Sequence, residues 1–133
     1  MRNRPCLTAD DAHKMMAACK AEAQKNKWLV TIAIVDESGA ALLLERLEGA
    51  GAISAEVAMG KARTSAVTKR PTKFFEDRVK ERPAFITFPT PGVMFQGGLP
   101  IVHQGECVGA IGVSGVQSHE DEQVAKAGID ALG

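Results

Sequence analysis

Aromatic side chains are scarce in this 133-residue chain: 5% of residues, with Trp28 alone, five phenylalanines and no tyrosine. A surface that stacks nucleic-acid bases needs more of them. An excess of charge of one sign is missing as well. Sixteen Lys and Arg balance sixteen Asp and Glu, for a formal net charge of zero. The basic surplus of a phosphate-tracking protein is therefore absent. No run approaches the roughly 20 apolar residues that span a bilayer. The first residues carry Arg2 and Arg4 with no apolar stretch behind them, unlike a secretory signal. Cys6, Cys19 and Cys107 lie far apart and form no C-x-x-C pair. That spacing disfavours a zinc clip or a disulfide framework and reads as reduced thiols in a cytoplasmic protein. Nucleic acid and membrane thus drop out of the expected partners.

What remains is ordinary globular material, 45% hydrophobic and 24% charged. With no linker, repeat or low-complexity tract, residues 1–133 read as one domain. Neutrality permits self-association by removing general repulsion.

A first helix is predicted over 8–26, capped by Thr8, with Ala12, Met15, Met16, Cys19 and Ala23 as its apolar stripe. Leu29 to Val35 and Ala40 to Leu47 form a hairpin about the turn Asp36-Glu37-Ser38-Gly39. Ser54 is the expected cap of a helix through Thr68, and Thr72 to Arg82 a shorter helix with Phe75 and Val79 inward. Pro83 to Pro100 is irregular, apolar and rich in Pro and Gly, with room for a short strand near Phe85. Such long loops in compact domains are commonly functional or packed on a partner. Leu99–His103 and Glu106–Val113 make a second hairpin, and Ser118 with Asp121 is the expected cap of the last helix. This order suits an α+β fold with an antiparallel sheet flanked by helices.

Gly109-Ala-Ile-Gly-Val-Ser-Gly115 lacks both standard phosphate-cradle spacings and misses G-x-S-x-G by one position. Gly109 and Gly112 still let a ligand or another backbone approach, and Ser114 and Gly115 lead to the N–H groups opening the last helix. Close helix–sheet packing is the plainer reading of the same glycines. Lys61, Arg63, Thr64, Lys69 and Arg70 form a polar cluster, in which residues two apart cannot share a helix face. Arg63 suits a ligand carboxylate, Glu56 or a helix carbonyl; a solvated helix face is the alternative. Gly97-Gly98 before Leu99-Pro100 brings a loop over a pocket or starts a strand with a bulge. Arg63, Gly98, Gly112, Ser114 and Gly115 are thus the candidate ligand-binding residues. Of the histidines, His13, His103 and His119, none belongs to an H-E-x-x-H motif. His13 sits beside the apolar stripe and is the strongest candidate for ligating a metal or haem iron.

Taken together, Ile32–Gly39, Ala58–Ala66, Gly97–Val102, Gly109–Gly115 and Asp121–Gly128 resemble the GlcG/HbpS-like, haem-degrading family across nearly the whole chain. The resemblance implies a profilin-like three-layer sandwich and assembly as dimers up to octamers. It also implies haem or another tetrapyrrole as ligand, with His13 carried over as candidate axial ligand by its place on the first helix. Similar proteins include the C-terminal domain of PduO-type cobalamin adenosyltransferases and proteins encoded beside catabolic genes. The leading expectation is a cytoplasmic, oligomeric haem- or tetrapyrrole-binding protein. A second is an enzyme or accessory protein acting on a small organic acid in a catabolic pathway. It would use Arg63, the helix start after Gly115, and Asp36, Glu56 or Glu122 as acid or base. A third is a ligand-free structural subunit using Pro83–Pro100 as an interface arm.

Overall fold

The computed structural model describes residues 1–133. Helix α1 spans Ala9–Lys25, strands β1 and β2 Thr31–Asp36 and Ala41–Arg46, and helices α2 and α3 Ile53–Thr68 and Thr72–Glu81. A 3-10 turn follows at Pro83–Thr87, then β3 over Gly98–His103, β4 over Glu106–Ser114 and α4 over Ser118–Leu132. The four strands form one sheet in the order β2-β1-β4-β3, antiparallel throughout. The expected antiparallel α+β sandwich is the observed one.

Strand alternation divides the core into two layers. Ile32 and Ile34 of β1, with Ile111 and Val113 of β4, pack beneath α1 and α4. Ala33, Val35 and Ala110 face the other way, against Ala58, Ala62 and Ala66 of α2. The first layer is built of large side chains, each worth about 1.5–3 kcal/mol when buried. The second consists of small ones, so α2 lies unusually close to the sheet. A Cβ on Gly112 would fall on the Ala58 carbonyl and within 2.5 Å of the Ala62 nitrogen.

The cap of α1 forms as expected: the Asp11 N–H donates to Thr8 Oγ1 at 3.1 Å, and the Thr8 N–H to Asp11 Oδ2 at 2.9 Å. The other two expected caps differ. Ser54 lies inside α2, bonding the Gly51 carbonyl at 2.6 Å and sharing a hydrogen bond with Thr31 Oγ1 at 2.8 Å. Burial of the hydroxyl against β1 outcompetes the capping position. In α4 the box shifts back one residue to Gln117 and Glu120, which frees Asp121 to turn inward. Near Phe85 there is a 3-10 turn instead of a short strand, because the sheet edge ends at β3.

Candidate functional site

Two features stand out on the α2 side. The first is a groove of about 610 Å³ between α2, β2 and the segment Pro91–Val93. Leu44, Ile53, Val57, Met59 and Val93 make it apolar, with Glu56 and Arg63 beside them. Gly60, within α2, and Gly92 form its closed end: a Cβ on Gly92 would collide with the Gly60 backbone. Arg63 is held from behind, its Nε donating to the Gly39 carbonyl at 3.3 Å. Its terminal amino groups have no protein acceptor and remain available to an anion.

The second is a buried ion pair. Lys61 and Asp121 side chains are 1% and 3% exposed, with Nζ and Oδ2 3.1 Å apart. The same ammonium donates to the Val113 carbonyl at 2.9 Å and lies 4.9 Å from the centre of the Phe95 ring. Asp121 Oδ1 accepts from the Val116 N–H at 3.1 Å. Burial pushes the Lys61 ammonium below its ordinary pKa, with the Asp121 charge opposing it. Burial likewise pushes the Asp121 carboxyl upward, with the Lys61 charge opposing it. Desolvation dominates both, as expected for charges held away from water. Lys61 is therefore no part of a solvated helix face. The pair ties α2, β4 and α4 into one unit.

The segment between α3 and β3 is strapped across this region. The Gln96 backbone N–H donates to Glu76 at 3.4 Å and its amide to Glu122 at 3.2 Å. Of the three carboxylates considered as acid or base, Glu122 is thus engaged with Gln96. Asp36 accepts from Ser38 and Ala40 to close the hairpin turn. Only Glu56 lies on the groove.

The candidate ligand residues do not converge. Gly98 and Gly112 are register partners on β3 and β4, and the space above both is filled by α2 backbone. Gly115, at φ 147°, lies against Leu29 and Val30, and Ser114 is half-buried at the end of β4 opposite Thr31. Arg63 alone borders the groove. His13 is exposed on α1, across the sheet from α2. Its Nδ1 donates to the Ala9 carbonyl at 2.8 Å, which fixes the tautomer and leaves Nε2 outward with a free lone pair. No three His, Cys, Asp or Glu side chains come together as a metal site. A lone histidine nonetheless suffices for iron already held by a macrocycle.

The family model for the haem-degrading, HbpS-like proteins matches residues 7–130. This chain belongs to that family. GlcG of Escherichia coli K12 is 41% identical over 115 residues, covering 86% of this chain and 85% of GlcG. A crystal structure of a Streptomyces reticuli HbpS double mutant superposes with a TM-score of 0.91 at 34% identity, over 100% of this chain and 91% of that one. The crystal structure of a PduOC:heme complex gives a TM-score of 0.87 at 27% identity, over 96% and 95% of the two chains. The HbpS-like fold is therefore shared along the full length, and one of these relatives was solved with haem. No helix here is long and apolar enough to cross a membrane.

Proposed function

We propose that this chain is a haem- or tetrapyrrole-binding subunit of a cytoplasmic homo-oligomer, with His13 as iron ligand. The observation that carries the reading is the His13 ring, locked through Nδ1 with Nε2 presented to solvent. The apolar groove supplies a wall for a flat macrocycle, and the free amino groups of Arg63 a partner for a propionate. His13 and Arg63 lie on opposite faces of the sheet, so one macrocycle meets both only when they come from two subunits. The free cysteines Cys6, Cys19 and Cys107 accord with a reducing compartment. Bound haem would supply the redox chemistry; the protein's part is to ligate, orient and shield.

Hemin titration with absorption spectroscopy tests this. The wild-type protein is expected to give a saturable Soret band. The His13→Ala variant should shift that band, and Arg63→Ala should weaken affinity while leaving the ligation spectrum unchanged. An identical Soret band in His13→Ala removes that residue from the role.

A second reading, a small organic acid held by Arg63 in the groove, is favoured by those same unpartnered amino groups. It predicts that a small carboxylate raises the melting temperature of the wild type but not of Arg63→Ala, with hemin binding no better than to an unrelated protein.

A further inference from the structure

One wall of the groove, Pro91–Val93, belongs to a span that little holds in place. From Pro89 to Phe95 the backbone donates one hydrogen bond, from the Thr90 N–H to the Phe88 carbonyl at 2.9 Å. It accepts one, from Thr90 Oγ1 to the Gly92 carbonyl at 3.2 Å. Both partners lie in the same stretch, so no hydrogen bond joins this wall to α2 or to the sheet. Segments with so few bonds to the rest of a fold open at low free energy.

The two ends of the span are fixed. Ahead of it, Phe85 and Phe88 stack with Phe75 of α3 at 5.1–6.1 Å between ring centres. Behind it, Phe95 lies over the Lys61 ammonium and Gln96 bonds to Glu76 and Glu122. The Gly97 carbonyl then accepts from the Val113 N–H at 3.1 Å. A free middle between two fixed ends can swing and return.

What closes it is a contact between two glycines. A Cβ on Gly92 would strike the Gly60 carbonyl oxygen, and a Cβ on Gly60 would lie 2.7 Å from Val93 Cγ2. Neither glycine has a positive φ, so neither is needed for its backbone conformation. Gly60 moreover stands in the middle of α2, where glycine is a poor helix former. The lack of a side chain at both positions serves only to let the wall rest on the helix.

We propose that Pro91–Val93 is a gate, which swings off α2 by breaking the Gly60–Gly92 contact and so admits the ligand of the groove. The structure holds it closed. The smallness of the two glycines sets how far the groove shuts, and thereby the size of ligand that enters without opening it. The inference rests on the groove being the ligand site.

Gly60→Ala tests the gate with α2 intact, since Ala is the better helix former. Gly92→Ala props the same contact from the other side. In ligand-free protein, Val93→Cys supplies a reporter thiol on the wall, with labelled positions read by peptide mapping. A thiol reagent should modify position 93 at least about tenfold faster once Gly60→Ala is added, while buried Cys19 stays unlabelled. In stopped-flow mixing with hemin, Gly60→Ala and Gly92→Ala, each without the reporter, should form the Soret band faster than wild type and at the same wavelength. Labelling at position 93 that Gly60→Ala leaves unchanged, or that proceeds only together with Cys19, overturns the gate. Hemin association no faster in either glycine variant overturns it as well. A Soret band absent from all three proteins overturns the macrocycle reading instead, and the labelling rates still decide the gate.

Discussion

Lys61 donates to Asp121 across 3.1 Å with both side chains almost wholly shut from water, although the two lie on different helices, 60 positions apart. One more donor–acceptor contact on each side, to Val113 and from Val116, completes the arrangement. A pair so deeply buried gains little net stability, since desolvation offsets much of the attraction. Its effect is to specify position. The start of α4 can sit in only one place relative to α2.

Removing one member leaves the other charge stranded. Lys61→Met or Asp121→Leu alone should lower unfolding free energy by about 3–5 kcal/mol, measured by urea denaturation. The double variant should lose clearly less than the sum of the two. Additive losses would show that the residues do not act as a pair.

Cysteine reactivity follows burial. Cys6 is exposed and Cys19 buried, and desolvation pushes the Cys19 thiol up to about 12. In the native protein at pH 8, a thiol reagent should modify Cys6 fast and leave Cys19 untouched until the chain unfolds. The folded pKa is raised, so the folded state keeps a proton that the unfolded chain releases. Stability from this source is complete below pH 9 and lost as pH rises toward 12. Cys19→Ala should flatten the decline in that window, as read from melting temperature against pH. Rapid native labelling of Cys19 would contradict its placement.

Gly112→Ala tests the close seat of α2. The added methyl meets backbone atoms of Ala58 and Ala62, which cannot move aside as a flexible side-chain end can. The expected loss is about 2–3 kcal/mol, with Gly112→Val worse. The control, Gly105→Ala, has open space where its Cβ would sit. Its cost should come only from the positive φ of 79°, about 1 kcal/mol. Equal losses at the two positions would mean that α2 is not tightly seated.

Much of this fold was legible in the residues. The Thr8 cap, both hairpins, the stripe on α1 and the inward Phe75 all follow from local pattern. Lys61 did not, because α2 has no amphipathic contrast to betray its inner face. Between Ala58, Ala62 and Ser65 its neighbours are small on every side, and a charge among them reads as solvent-facing. The signal was present in Gly97, where a Cβ would sit 2.5 Å from the Lys61 amine, but only contact across the fold gives it that meaning. Asp121 was obscured by capping chemistry, since an acid in the first turn of a helix has an adequate local explanation. The groove was hidden for a different reason: it needs Gly60 and Gly92, 32 positions apart, to touch. Gly109 and Gly112 read as places of close approach, and both are: the neighbour is the Val35 carbonyl at Gly109 and helix α2 at Gly112.

The thin seam beneath α2 leaves that helix with two unequal sides. Lys61 apart, its inward residues are small groups packed close to the sheet, so almost any enlargement is resisted. Of its outward residues, Ile53 and Val57 border the groove and can vary without disturbing the sheet. Selection can therefore retune what this surface holds, in size or in charge, while the scaffold stays fixed.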